Sequence, residues 1–252
     1  MAEFVKVSNL PNDANVVIIG EKYAEKLAKP LKKWGITPLF VPDNPNVDPR
    51  LSGHADLSVF HAGGERLYLA PFLRGSDFAK KLEALGADVM FADISQAATY
   101  PHDARLNIAA LADTVIYNPK VSYLPAVNYL TSEKNYKAVQ CKQGYAKCST
   151  LVVNERSLIT QDRGIARAAM NAGLDVLQIE PGNVELSGFS CGFIGGAGFM
   201  LSKSELAFTG ALDAHPDKPR ILAFLAERNN TPVYLTVDPI FDIGSAIPLT
   251  EK

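Results

Sequence analysis

The chain has 252 residues and a formal net charge of −2, with 47% hydrophobic and 21% charged residues. This profile is typical of a soluble globular protein and excludes a disordered or fibrous chain. The 25 Lys and Arg residues are scattered, so no basic stripe indicates a nucleic-acid partner. No stretch approaches the ~18 apolar residues of a membrane span.

The N-terminal segment and the cysteines indicate a reducing compartment. The chain begins MAEFVKVSNLPNDANVV, without the basic region and apolar core of a secretion signal. It has three cysteines, Cys141, Cys148 and Cys191, an odd number with no CxxC spacing. We therefore expect free thiols in a cytoplasmic protein without a membrane partner.

The predicted elements repeat one order along the chain. Each unit has two strands, a helix and a third strand, with a period of about 45 residues. The clearest copies read GERLYLAP…FAKKLEALGADVMFAD and ERSLITQD…GIARAAMNAGLDVLQIE. Glycines placed just after two helices, Gly86 and Gly173, predict where those helices end.

Five such units fill the chain and predict an α/β fold, a five-fold pseudosymmetric ββαβ propeller, in one domain over residues 1–252. The first unit lacks a clear opening strand, which either EFVKVS at the N-terminus or IGSAIPL (243–249) would supply. The second choice would close the chain into a ring. The alternative is an ordinary open α/β sheet, but hairpins before each helix and a fixed period favour radial repetition.

Residues that open the first strand of each unit would converge on the axis of a radial array. The heads of the second and fourth units carry His54, Asp56 and Cys148. We interpret His54 and Asp56 as neighbours on one face of a strand, two residues apart. The remaining heads offer Arg105, Asn107, Cys191, Gly195 and Gly196. A packed interior would not select this set.

With these residues, the chain resembles the pentein, or guanidine-modifying enzyme, superfamily, which includes arginine deiminases, dimethylarginine dimethylaminohydrolases and amidinotransferases. The resemblance covers nearly the whole chain in architecture, and His54, Asp56 and Cys148 in motif. In that superfamily a His-x-Asp precedes the nucleophilic cysteine by two repeats. Cys148 lies two repeats after His54 and Cys191 lies three after it, which favours Cys148.

The resemblance implies a cysteine-dependent hydrolase or transferase for a small cationic guanidinium or amidine substrate, without a cofactor or a metal. Cys148 would be the nucleophile that forms a thiouronium intermediate, and His54 the acid and base. Asp56 would bind the substrate or orient His54. Lys147, or the bound cation, would favour the thiolate.

Several departures leave alternatives open. Further acidic residues expected at other heads are replaced by Arg105, Asn107 and glycine, and Asp242 would supply a carboxylate only if the C-terminus closes the ring. A non-catalytic protein that binds a small molecule or a macromolecule on the same scaffold is the alternative function. Cys191 is either a pocket thiol or a packed residue. The glycine-rich segment GFIGGAGF only weakly indicates a nucleotide site. The oligomeric state is not determined by the sequence, and a homo-oligomer is one possibility.

The remaining cysteine and histidines have simpler interpretations. Cys141 ends the predicted strand YKAVQC and is expected in the core. His61, His102 and His215 lie in predicted turns or loops, and we expect them to be solvated.

Overall fold

The computed structural model describes residues 3–252, so the first two residues of the predicted domain lie outside it. Its strands form five small sheets, and one strand order recurs among them. The first sheet has the order β1-β16-β2-β3 and consists of β1 (Glu3–Phe4), β16 (Ile247–Glu251), β2 (Ala14–Gly20) and β3 (Thr37–Val41).

The other four sheets have three strands each, in chain order. The second and third sheets contain β4 (Val59–His61), β5 (Arg66–Leu69), β6 (Asp88–Phe91), β7 (Ala109–Leu111), β8 (Thr114–Tyr117) and β9 (Lys137–Gln140). The fourth and fifth contain β10 (Leu151–Val152), β11 (Ser157–Thr160), β12 (Asp175–Gln178), β13 (Gly198–Ser202), β14 (Glu205–Phe208) and β15 (Thr231–Tyr234).

Every sheet combines an antiparallel pair with a parallel neighbour. In the second sheet Val59 pairs with Leu69 in the antiparallel pair, and Leu69 pairs with Phe91 in the parallel one. A helix precedes each parallel strand, as a parallel connection requires. These helices are α1 (Ala24–Lys33), α2 (Asp77–Leu85), α3 (Leu124–Asn128), α4 (Arg163–Asn171) and α5 (Lys218–Ala226).

Local sequence explains where the helices begin and end. The Ser76 side chain accepts a hydrogen bond from the backbone N–H of Ala79 and caps α2, which ends at Gly86 with a φ of 96°. Asp162 caps α4 in the same way through the N–H of Ile165, and Gly173 follows that helix with a φ of 88°. Both predicted helix ends are confirmed. α3 is short and continues as a π-helix over Tyr129–Glu133.

The opening strand of the first unit comes from the C-terminus. β16 pairs antiparallel with β2, and β1 pairs with the other edge of β16 through Glu3 and Glu251. Both candidate segments therefore join the first sheet, but only the C-terminal one contacts β2 directly.

The apolar core is divided among neighbouring sheets. Five apolar clusters each combine residues of two sheets. Four of them join sheets that are consecutive in the chain, and the other joins the fifth sheet to the first. In that cluster Val17 and Ile19 of β2 pack with Phe199 and Leu201 of β13. Each buried leucine or isoleucine stabilises the fold by about 1.5–3 kcal/mol relative to an exposed one.

Two of the histidines predicted to be solvated are buried. The His61 ring lies 3.1 Å from the carbonyl oxygen of Pro248 and 2.8 Å from that of Gly64. His215 is also buried, and its Nδ1 accepts from the N–H of Asp217. His102 is exposed and Cys141 is buried, as expected. The prediction for His61 was wrong because the residue ends β4, where its ring meets the backbone carbonyls of Gly64 and of Pro248 in β16.

None of the helices in residues 3–252 has the length and apolar character needed to cross a membrane.

Candidate functional site

Hydrogen bonds link five turns, which precede the strands β4, β7, β10, β13 and β16. Each contributes a residue two or three positions before its strand begins. These residues are Asp56, Asn107, Cys148, Gly195 and Ser245. The predicted convergence of the repeat heads therefore occurs in turns, not on strands.

Asp56 and Asn107 hold the thiol of Cys148. The thiol donates a hydrogen bond to Asp56 Oδ2 over 2.8 Å, and Asn107 Nδ2 lies 3.3 Å from Sγ as a donor. Asn107 Oδ1 accepts from the backbone N–H groups of Lys147 and Cys148, at 2.7 and 3.0 Å. Asn107 thus fixes both the backbone and the side chain of the cysteine.

His54 and Asp56 lie on a 3-10 turn over Ala55–Leu57, where His54 is the N-cap residue and β4 begins only at Val59. The interpretation of a shared strand face was wrong, because the strand is shorter than its apolar run indicates. The turn nevertheless places both side chains beside Cys148. One ligand-type atom from each of His54, Asp56 and Cys148 lies within 4.8 Å of the others, and all three residues are buried.

Ser245 and Lys147 complete the cluster. Ser245 Oγ lies 2.8 Å from Asp56 Oδ2 and 3.0 Å from the carbonyl oxygen of Gly195, and it accepts from Lys147 Nζ over 3.1 Å. The sequence reasoning missed Ser245, although the segment that carries it, FDIGSAIPL, stood out as a strand that would close the ring. A serine in such a segment has no chemical signature of its own.

Asp242 lies at the edge of the cluster. Its carboxylate accepts from the N–H of Phe193 and from that of Gly244, both at 2.8 Å. A side chain on Gly192 or Gly196 would overlap this carboxylate, so the glycine-rich segment leaves room for Asp242. Gly195 is packed in turn against the backbone of Lys147 and Thr150.

Two of the predicted site residues make no hydrogen bond to the cluster within residues 3–252. The backbone carbonyl of Arg105 accepts from Tyr123, and its Nε is buried without a partner among those residues. Cys191 is half-buried. The residue next to it, Gly192, is the one that packs against Asp242.

Burial determines the protonation states in the cluster. Burial raises the pKa of the Cys148 thiol well above its usual value, and the carboxylates of Asp56 and Asp242 raise it further. Burial lowers the pKa of His54 to about 4, although Asp56 opposes that shift. Cys148 is therefore a thiol and His54 a neutral imidazole at neutral pH.

The charged neighbours follow the same rule. Burial lowers the pKa of Lys147, and the charges of Asp56, Cys148 and Asp242 oppose this lowering. Burial also raises the pKa of Asp242 to about 6, against the effect of the two N–H donors and Lys147. Lys147 is the one cation that donates a hydrogen bond within this cluster among the described residues.

Two polar side-chain atoms of the cluster have no hydrogen-bond partner among residues 3–252. They are Nε2 of His54 and Oδ1 of Asp56, both fully buried. Buried polar atoms in proteins are nearly always hydrogen-bonded. The cluster therefore has unused capacity for a ligand that carries N–H donors.

The donor set would also suit a metal ion by chemistry, but its spacing fits a hydrogen bond better. The 2.8 Å between Cys148 Sγ and Asp56 Oδ2 is a thiol–carboxylate hydrogen bond. Two ligands of a tetrahedral zinc ion would lie about 3.5 Å apart at ordinary bond lengths.

A cleft of about 680 Å³ borders the cluster. Tyr23 and Asp242 belong to its lining, together with Lys22, Glu185 and Phe189. The centroid of the Tyr23 ring, which lines the cleft, lies 6.4 Å from the centroid of the His54 ring.

Solved structures with a similar fold include two amidinotransferases and an agmatine deiminase. The amidinotransferase SxtG of the saxitoxin biosynthetic pathway from Microseira wollei is similar with a TM-score of 0.61, at 10% identity over 98% of each chain. The inosamine-phosphate amidinotransferase of Streptomyces griseus has a TM-score of 0.60 at 10% identity, over 98% of this chain and 97% of that one. The agmatine deiminase of C. jejuni has a TM-score of 0.52 at 8% identity, over 91% and 90%.

These likenesses confirm the pentein-type fold that the sequence predicted, and at such low identity they concern the fold alone. A search of curated protein sequences gives no match. A family model described as a family of unknown function, DUF6873, matches residues 18–247. The chain belongs to this family of unknown function, DUF6873.

Proposed function

We propose that the protein is a cysteine-dependent hydrolase or transferase that acts on a C–N bond of a small guanidinium or amidine substrate. The observation that carries the proposal is the buried cluster of Cys148, His54 and Asp56, in which His54 Nε2 and Asp56 Oδ1 lack partners among the described residues. Similarity in fold to amidinotransferases and a deiminase supports the same class of chemistry.

The proposed reaction begins with the bound cation. A guanidinium or amidinium group would donate N–H bonds to Asp56, and Asp242 would add a second carboxylate. The positive charge of the substrate would lower the pKa of Cys148, whose proton passes to His54. The thiol thus becomes nucleophilic only when substrate is present.

Covalent steps then follow with their protons accounted for. Cys148 Sγ bonds to the central carbon, the C–N bond to the leaving amine breaks, and His54 returns its proton to that amine. The thiouronium that remains is attacked by water, or by an acceptor amine, which His54 deprotonates. The C–S bond breaks and the Cys148 thiol is restored.

We also propose that the five sheets form a five-fold pseudosymmetric propeller in one domain, with the site on its axis. The five linked turns and the core cluster that joins the fifth sheet to the first support this arrangement. Pairing of the C-terminal β16 with β2 supports it as well.

A labelling experiment with a matched pair of reagents tests the function. At neutral pH, 2-chloroacetamidine, a cation, should alkylate Cys148 at least about tenfold faster than neutral chloroacetamide, because only the cation lowers the pKa of the thiol. Mass mapping of the adduct identifies the residue, and Cys148→Ser should abolish labelling there.

Two further variants serve as controls. Cys141→Ser and Cys191→Ser should leave the rate at Cys148 within about twofold of the original rate, since neither thiol bonds to the cluster. Labelling of Cys191 in preference to Cys148, or equal rates for the two reagents at Cys148, would contradict the proposal.

A second candidate, a non-catalytic binding protein, has one observation in its favour. The Cys148 side chain is only 2% exposed, and its thiol is already hydrogen-bonded to Asp56. In that case a guanidinium compound should bind to Cys148→Ala as tightly as to the original protein in calorimetry, and no adduct should form.

A further inference from the structure

A second concave site lies away from the cysteine cluster, between the third sheet and α4. It is a cleft of about 890 Å³, within the size range of small-molecule sites. Its lining contains four cationic side chains and no Asp or Glu. The four are Lys120, Lys142, Arg163 and Arg167.

None of these four side chains forms an ion pair with any residue in the described part of the chain. All four are exposed, and the protein as a whole is slightly acidic. This local excess of positive charge is therefore a property of the cleft and does not follow from composition.

The placement of the two arginines is unfavourable for the protein by itself. Arg163 is the first residue of α4, where the helix dipole disfavours a cation, and Arg167 lies one turn later. Like charges four residues apart on a helix repel each other. The carboxylate of the preceding residue, Asp162, is occupied, because it caps α4 through the N–H of Ile165 and accepts from Gln143.

The lysine side of the cleft is held by one buried residue. Asn118 Nδ2 donates to the carbonyl oxygen of Lys142 over 2.7 Å, and Asn118 Oδ1 accepts from the N–H of Lys120 over 2.9 Å. The two lysine-bearing segments therefore keep a fixed spacing. The apolar part of the lining includes Pro119 and Tyr100, whose side chain is 49% exposed.

We infer that this cleft binds a phosphorylated small molecule. Several phosphate oxygens would neutralise the four unpaired cations and relieve the repulsion between Arg163 and Arg167, because guanidinium groups bind phosphate in a bidentate manner. The exposed Tyr100 ring and the prolines offer an apolar surface for the rest of the molecule. The site is separate from the cysteine chemistry proposed above.

Calorimetric titration with pyrophosphate and with ATP tests this inference. Both probes should bind with a Kd below about 1 mM at low salt, and the affinity should fall as salt rises from about 50 to 150 mM. Equal affinities for pyrophosphate and ATP would mean that the cleft recognises the phosphate groups alone. Tighter binding of ATP would mean that the apolar surface also contributes to the affinity. Either result supports the site.

Matched double variants locate the binding. Arg163→Gln with Arg167→Gln should weaken ATP binding at least about tenfold, since two charge-assisted contacts are lost. Lys29→Gln with Lys32→Gln removes the same charge from the exposed face of α1 and should change the Kd by less than about twofold.

Absence of binding by both probes, or equal losses in the two double variants, would overturn the inference. Tighter binding of a single-stranded RNA than of ATP through the same arginines would overturn the assignment to a small molecule. Labelling of Cys148 should be unchanged in the Arg163/Arg167 variant, so failure here is distinguishable from failure of the proposed function.

Discussion

At the residue scale, Lys147 is the feature that most distinguishes the cysteine cluster. A buried ammonium group is costly unless it is paired, and Lys147 Nζ donates to Ser245, which in turn lies against Asp56. The carboxylates of Asp56 and Asp242 oppose the lowering of the Lys147 pKa by burial. We propose that Lys147 acts as a positioning residue that supplies fixed positive charge next to the Cys148 thiol.

Lys147→Met tests this role because methionine keeps most of the side-chain volume. Loss of a nearby cation should raise the pKa of the Cys148 thiol further, by about 1 unit or more. In a plot of the alkylation rate by iodoacetamide against pH, the rise should then lie about 1 pH unit higher than in the original protein. Loss of the buried hydrogen bond from Lys147 Nζ to Ser245 Oγ should also lower the free energy of unfolding by about 2 kcal/mol.

The control for this variant is Lys29→Met on the exposed side of α1. It should leave both the pH profile of alkylation and the urea midpoint unchanged. A lower stability of Lys147→Met with an unchanged pH profile would mean that Lys147 is structural only.

Spacing alone made His54, Asp56 and Cys148 predictable as neighbours, and Asn107, Lys147 and Asp242 were further candidates that the structure brings into or beside the cluster. His54, Asp56 and Cys148 have reactive groups and lie two repeats apart, so the repeat itself brings them together. Ser245 could not be predicted, because a serine hydroxyl has no distinctive pattern. The same holds for the unpartnered atoms of His54 and Asp56, which depend on the full set of neighbours.

At the element scale, the turns before the strands matter more than the strands. The prediction placed His54 and Asp56 on a strand, whereas they lie on a 3-10 turn over Ala55–Leu57. An apolar run predicts a strand but does not indicate where backbone pairing begins, since that depends on the partner strand. The helices were easier to predict because capping residues such as Ser76 mark their ends locally.

The turn that carries Gly244 positions His54. Gly244 has a φ of 66°, its carbonyl accepts from the N–H of Asp56, and a side chain on it would overlap His54. Gly64 has a similar φ of 60° but open space around it. An alanine substitution at Gly64 therefore tests backbone strain alone, and one at Gly244 tests backbone strain together with steric overlap.

Gly64→Ala should lower the free energy of unfolding by about 1 kcal/mol, the usual cost of a left-handed backbone with a side chain. Gly244→Ala should lower it by about 1–3 kcal/mol more, because the added methyl group overpacks the turn. Urea denaturation measures both values. Labelling of Cys148 by chloroacetamidine should fall at least about tenfold only in Gly244→Ala, since His54 is displaced; equal behaviour of the two variants would contradict this role of Gly244.

At the scale of the whole molecule, the first and last strands of residues 3–252 belong to the same sheet. β1 pairs with β16 through Glu3 and Glu251, and β16 pairs with β2. The number and order of the elements could be predicted because the repeat recurs at a fixed period. The choice of β16 as the partner of β2 could not, because two segments of similar apolar character competed for that position and only long-range packing selects between them.

Because β1 and β16 pair in one sheet, we expect residues 3–252 to tolerate circular permutation. A variant in which a short Gly-Ser linker joins Lys252 to Glu3, with new ends between Glu155 and Arg156, keeps every sheet pairing and opens only an exposed hairpin turn. Its Tm should stay within about 10 °C of the original, since loop closure contributes only modestly to stability. Its rate of Cys148 labelling should stay within about threefold, because the permutation leaves the five turns around Cys148 intact. If the permutant folds but no longer reacts with chloroacetamidine, the five turns depend on the original order of the chain. If it does not fold, pairing between β16 and β2 is not enough to hold the first sheet together.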